Sequence, residues 1–171
     1  MAGYSGPEVR VPRKGGHNFR EIPRAEIPRS AFDMSRGLKT TFDVDYLVPI
    51  YVEEILPGDT FNVQMNGLCR VFSPLLSPIM DNLYLETFFF FIPNRITWDN
   101  WQKFCGEQVD PGDSMDYTIP RIGTGSTTLE GSLFNYLGLP IGLVPNSTFV
   151  SSLPVRAYHT VYNEWFRDQN L

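Results

Sequence analysis

Chemistry in this 171-residue chain would have to start from two histidines (His17 and His159), two cysteines (Cys69 and Cys105) or a few clusters of oxygen ligands. General acid–base work and metal binding by histidine need several converging partners. Nothing stands at a recognisable spacing from either histidine, so each reads as a surface or interface residue. The cysteines fit no metal or redox spacing and make no disulfide framework, and the preference of free cysteine for interiors predicts two buried thiols. Serines are plentiful, but no Gly-x-Ser-x-Gly elbow is there to aim one as a nucleophile. Asp110, Asp113 and Asp116 share one loop, and Asp43, Asp45, Glu53 and Glu54 form a second acidic group. Hard cations bind such oxygens, yet the calcium-hand spacing and its closing glutamate are absent, which favours solvated acidic loops over calcium at a subunit contact. Gly123-Thr124-Gly125 lacks the Gly-Lys-Ser/Thr ending of a phosphate loop. Asn146-Ser147-Thr148 matches a glycosylation sequon, which carries no meaning without a secretion signal, and no charged-then-apolar signal opens the chain. The expectation is a non-enzymatic protein with no catalytic residue, metal or cofactor.

Partner chemistry is concentrated at one end. Residues 1–39 hold eight basic side chains against four acids, a net of +4, while the other 132 residues hold six against fifteen, a net of -9. Arginines spaced by prolines neutralise phosphates without reading bases, and Phe19 adds a ring on which an unpaired base can stack. Arg10, Arg13, Lys14, Arg20, Arg24 and Arg29 are therefore the candidate nucleic-acid contacts. The competing reading is an arm that only laces subunits together through Ile22, Ile27 and their prolines. Glu21-Ile22-Pro23-Arg24 recurs five residues later as Glu26-Ile27-Pro28-Arg29. Proline removes a donor and biases its predecessor to extended conformations, so residues 1–39 read as a polyproline-like or irregular arm. Fully stretched, these 39 residues would reach on the order of 120 Å at roughly 3.1 Å each.

The elements that must position everything else begin near Thr40. With 42% apolar and 14% aromatic residues the chain can build one sizeable core. Its longest uncharged apolar run, Phe88 to Pro93, falls far short of the roughly 20 residues of a spanning helix, so a soluble protein without a membrane partner is expected, made inside a cell. Thr40–Val52 reads as a strand bent or ended by Pro49, and Pro57-Gly58-Asp59 as a turn. Phe61, Val63 and Met65 alternate with Asn62, Gln64 and Asn66, the pattern of a half-buried strand, and Gly67 marks a bulge. A third strand is expected from Leu83 to Ile92. Thr97 is placed to cap a helix carrying Trp98, Trp101, Phe104 and Cys105, with Gly106 as its stop. Thr127-x-x-Glu130 forms a capping box before Leu129, Leu133, Phe134 and Leu137, ended by Gly138. A last helix, Pro154 to Arg167, puts Val155, Tyr158, Tyr162 and Trp165 on one stripe. The Gly/Asp/Ser/Thr-rich segment Gln108–Ser126 reads as a surface loop. The fold class is mainly β with helical excursions.

Within the third strand, Phe88, Phe89, Phe90 and Phe91 follow one another, with no charge between Glu86 and Arg95. Successive strand residues face opposite ways, so this run is buried only if both faces of the sheet are covered. One cover is the inside of a sandwich and the other is further polypeptide. Phe88 to Phe91, with Trp98, Trp101 and Trp165, are the candidate core and interface residues.

Three segments taken together, Arg29–Phe61, Pro78–Glu107 and Arg156–Asn170, resemble the major capsid proteins of microviruses, small icosahedral single-stranded DNA phages, and are most similar to the gokushovirus branch. The resemblance runs from about His17 to Leu171 and is weakest over Gln108–Ser152. It implies a viral jelly-roll β-sandwich with helical and loop insertions, forming a T=1 icosahedral shell around a circular single-stranded DNA genome. The implied partners are other copies of the same chain, packaged DNA and a small basic DNA-condensing protein; the implied location is the virion, assembled in the bacterial cytoplasm. A jelly roll needs eight strands and three or four are legible, so the expectation is an N-terminal arm (1–39) followed by the first part of the sandwich (40–171), its helical insertion spanning about 97–171. A jelly-roll, lectin-like module that holds sugars on exposed Trp and Tyr is the alternative.

Overall fold

The computed structural model describes residue 26 and residues 28–170 apart from 124 and 126. The chain divides into two compact units, Met1–Gly37 and Leu38–Leu171. In the first, the Ser35 hydroxyl and backbone N–H both donate to the Asp33 carboxylate, and these bonds, the hydroxyl's foremost, hold that carboxyl below its ordinary value.

The second unit is organised by short helices. They are α1 (Asn94–Thr97), α2 (Trp101–Phe104), α3 (Leu133–Tyr136), α4 (Pro145–Thr148) and α5 (Leu153–Val161), the last running on into a π-turn at Tyr162–Phe166. α5 is the pillar. Pro154 near its start has no N–H to lose, and its inner side buries Leu153 and Val161. Ser152 fastens the start of α5 to the preceding loop: its N–H and its hydroxyl both donate to the Pro120 carbonyl, at 2.9 and 3.0 Å. Ile122, buried beside that contact, donates to the Val150 carbonyl at 2.9 Å, and Arg121 and Ser151 form an isolated antiparallel bridge. Part of the Gln108–Ser126 loop is thus stitched to the core rather than lying wholly on the surface.

Helix ends match the sequence where glycine sets them and differ where side-chain caps were expected. Gly106 and Gly138 each adopt φ +98, the left-handed geometry that ends a helix at little cost without a Cβ. Thr97 is the last residue of α1, not a cap; its hydroxyl donates back to the Asn94 carbonyl at 2.9 Å. The Thr127–Glu130 capping box does not form either. Gly131, at φ +71, turns the chain first, and Ser132 takes the N-cap, accepting from the Asn135 N–H. Both cysteines are exposed, against expectation. Cys105 lies at the last turn of a single-turn helix, and Cys69 lies in a stretch over which no element packs.

The segments expected as strands, Thr40–Val52, Phe61–Met65 and Leu83–Ile92, carry no ladder among the described residues. A strand exists only when a neighbouring strand runs alongside and pairs its N–H and C=O groups in a ladder, and among the described residues no such neighbour lies against these segments. Two tyrosines nevertheless reach the first of them. Tyr136 donates to the Thr41 carbonyl and Tyr158 to the Leu47 carbonyl, each at 2.9 Å. Burial holds the Tyr158 phenol above its ordinary value of 10.0, with a smaller push from Tyr162. A raised folded-state value means that this stability is fully present below about pH 10 and is lost as pH rises through the folded-state value. Tyr158→Phe should therefore flatten the loss of stability above pH 10 in alkaline denaturation, at a cost near neutrality of about 1 kcal/mol for the hydrogen bond.

Candidate assembly surface

The Phe run carries exposed aromatic surface, as much of the apolar stretch before it carries exposed aliphatic and aromatic surface. Its even-numbered side leans on the end of α5: the Phe88 ring meets Phe166 edge-on at 5.5 Å, and Phe90 lies 5.7 Å from Trp165 and 6.1 Å from Phe166. The π-turn makes this double contact. Arg167 N–H donates to Tyr162 O, five residues back, and the wider turn sweeps less angle per residue, so consecutive rings 165 and 166 both reach Phe90. The odd-numbered side is open. Phe89 is 68% and Phe91 75% exposed, and Trp165 keeps 72% of its surface in water on the outer rim. Beside them a groove of about 300 Å³ is lined by Phe90, Phe91, Ile96, Val161 and Trp165, with Glu164 also on its wall.

Trp98 and Trp101 are placed differently. Trp98 is only 8% exposed and packs tilted against Phe104 at 5.6 Å and edge-on to Trp101 at 6.4 Å. The Arg156 guanidinium on α5 donates to the Thr97 carbonyl at 3.2 Å, which locks α1 and this cluster to the pillar. Of the seven candidate core and interface residues, Trp98 is core, Phe90 and Trp101 are half-buried, and Phe88, Phe89, Phe91 and Trp165 are surface.

Of the candidate nucleic-acid contacts, Arg10, Arg13, Lys14, Arg20 and Arg24 lie outside the described residues, and Arg29 is exposed. His159 is exposed too, its ring edge-on to Tyr158 at 5.7 Å. In the acidic loop one Asp113 oxygen accepts from the backbone N–H groups of Val109 and Asp110, at 3.2 and 3.1 Å. The carboxylate closes its own turn. Among the described residues no cluster of three His, Cys, Asp or Glu side chains is arranged to hold a metal, and no helix is long and apolar enough to cross a membrane.

Two features escaped the sequence reading. Phe166 was signalled by its four-residue spacing from Tyr162, but the α-helical stripe stopped at Trp165. The second feature has no local signal: Arg121, across the bridge from Ser151, sets its guanidinium 4.2 Å above the Phe149 ring. Phe149 follows α4 at φ 58, ψ 41, a left-handed conformation that costs a residue with a Cβ roughly 1–2 kcal/mol. The pair borders a cleft of about 380 Å³ whose other walls include Phe104, Tyr117, Thr118 and Ser151.

Comparison with known proteins bears on this surface. The sequence profile of the family described as "Capsid protein (F protein)" matches residues 20–171. Capsid protein VP1 of Chlamydia phage 1 is 43% identical over 169 residues, which cover 95% of this chain and 28% of that protein. Capsid protein VP1 of Bdellovibrio phage phiMH2K is 43% identical over 160 residues, covering 93% of this chain and 30% of that protein. Capsid protein VP1 of Spiroplasma virus 4 is 34% identical over 157 residues, covering 91% and 28%. The chain thus spans less than a third of the length of these relatives. A profile match over residues 20–171, joined by relatives of such identity along nearly the whole chain, means that the chain belongs to the capsid protein (F protein) family of the microviruses.

Proposed function

We propose that the chain forms part of the shell of a microvirus particle, a non-enzymatic structural protein that self-assembles into an icosahedral T=1 capsid around circular single-stranded DNA. The observation that carries this reading is the open side of the Phe run. Phe89, Phe91 and Trp165 leave aromatic surface bare, Phe91 and Trp165 along one shared groove, and exposed aromatic surface on a folded unit marks a contact to be covered. In the proposed fold, a jelly-roll sandwich, further strands pair with Leu83–Ile92 and cover that side; they come from polypeptide outside these 171 residues, on the scale by which the relatives are longer. Particles are built in the bacterial cytoplasm, and, as the resemblance to the microvirus capsid proteins implies, a small basic protein shares the neutralisation of the genome, to which residues 1–39 bring a net of only +4.

Electron microscopy of the protein expressed at the length of its relatives tests the reading. Closed uniform shells are expected, and small soluble oligomers that bind sugars would overturn it in favour of a lectin-like module. The arm is expected to matter for particles and not for the fold. Deleting residues 1–29 should leave the thermal transition in place while weakening shells or lowering their DNA content. If its arginines touch DNA, changing Arg13, Arg24 and Arg29 together to Ala should lower the salt slope of single-strand binding by about 0.7 per lost contact; an unchanged slope leaves only the lacing role.

A further inference from the structure

We propose that the cleft between the Arg121–Phe149 stack and Tyr117 is a binding site for one unpaired nucleotide of single-stranded nucleic acid, the base stacking on the guanidinium–ring platform. This rests on the reading that the shell encloses single-stranded DNA, and places one contact on the folded unit rather than on the arm.

The platform is already assembled. A guanidinium 4.2 Å above an aromatic ring is a flat, cationic, polarisable surface, and unstacked bases settle on such planes whatever their sequence. Phe104 and Tyr117 supply further ring surface in the same cleft, and the Thr118 and Ser151 side chains add hydroxyls able to bond a sugar or a base edge. Lys103 holds its amine 5.9 Å from the centre of the Tyr117 ring, a cation within reach of a nucleotide's phosphate beside that wall. Of only six basic residues in the 132-residue stretch that carries a net of -9, Arg121 lines this cleft and Lys103 stands over its Tyr117 wall. The nearby acidic loop opposes long-range attraction, so the site works by stacking more than by charge.

Phe149 supplies the second, independent observation. A residue that caps a helix in left-handed geometry is ordinarily glycine or asparagine, because neither burdens the turn as a bulky residue does. Here a phenylalanine occupies it with its ring 65% exposed, gaining neither ease of backbone nor full burial. Such strain is kept where the side chain has something to bind.

The test compares binding of a fluorescent oligothymidylate with that of an abasic deoxyribose-phosphate oligomer of equal length, across wild type, Phe149→Gly, Arg121→Lys and Arg121→Ala, each melted in parallel. Phe149→Gly should weaken the base-bearing oligomer by roughly tenfold and leave the abasic one alone. Its melting temperature should hold or rise, because glycine fits the left-handed turn, which separates lost binding from lost fold. Arg121→Lys should lose affinity and keep the salt slope, whereas Arg121→Ala loses both, the slope falling by about 0.7. Equal oligothymidylate affinities for wild type and Phe149→Gly would overturn the site and leave the packaging reading intact, since that reading stands or falls on the DNA content of wild-type particles. A wild type that binds neither oligomer, or that takes a neutral monosaccharide in the cleft without preferring the base-bearing oligomer, overturns it as well.

Discussion

Trp98→Ala should strip the second unit of a large part of its stability and move its denaturation midpoint sharply down. Removing a buried tryptophan costs roughly 3–5 kcal/mol, a large part of the 5–15 kcal/mol that holds an ordinary domain together. Trp98 is the largest of the buried hydrophobic side chains of the described residues, and its ring bridges the α1 end to Trp101 and Phe104. With the ring gone, the Arg156 bond to the Thr97 carbonyl loses its rigid base and the α1–α5 contact goes with it. Chemical denaturation monitored by far-ultraviolet circular dichroism gives the measurement. A midpoint within error of wild type would show that the cluster around Trp98 is peripheral to stability.

The opposite result is expected from Phe89→Ser combined with Phe91→Ser. Both rings face water in the chain, so stability should move by less than about 1 kcal/mol. Self-association should collapse: sedimentation of the wild-type chain should show large, polydisperse species, and the double variant should run small. In the protein at the length of its relatives the same pair should abolish particles, because a hydroxyl placed in a packed aromatic contact leaves both a cavity and an unpaired polar group. A drop in melting temperature of the size expected for Trp98→Ala would mean that these rings are covered within the chain itself.

The contrast between these two results shows what the sequence can and cannot reveal. The aromatic density of Phe88–Phe91 is plain in the letters, but whether a ring is core or contact depends on which polypeptide lies opposite, and the letters of the run do not name it. Glycine stops were legible at Gly106 and Gly138 because a missing Cβ acts on its own turn. The Thr97 and Thr127 caps were misplaced because a hydroxyl that can cap can equally bond the preceding turn, and Pro93 and Gly131 had already fixed where the chain bends. Cys69 and Cys105 followed the general preference of thiols only on paper, since both sit where little packs against them. The Arg121–Phe149 stack was invisible because it joins two segments 28 positions apart through a single bridge, and one bridge leaves no periodicity to detect. Strands leave such a trace only in the alternation of their side chains; their partners must be found in space.

The tyrosine tethers set an order of events. The bond from Tyr158 to Leu47 spans 111 residues, and that from Tyr136 to Thr41 spans 95. Closing a loop of about a hundred residues costs roughly 4 kcal/mol of chain entropy, several times what one neutral hydrogen bond returns. Neither tether can draw the early segment in by itself. The tryptophan cluster, whose ring contacts are local, and the pillar's bonds to Thr97 and Pro120, which close loops of 59 and 32 residues, are the shorter closures and stand first, and residues 41–47 dock onto a finished surface. They are then also first to leave: the anchorage of residues 41–47 on the helical pillar is a latch with a low threshold for release, and that latch can open while the pillar stays whole.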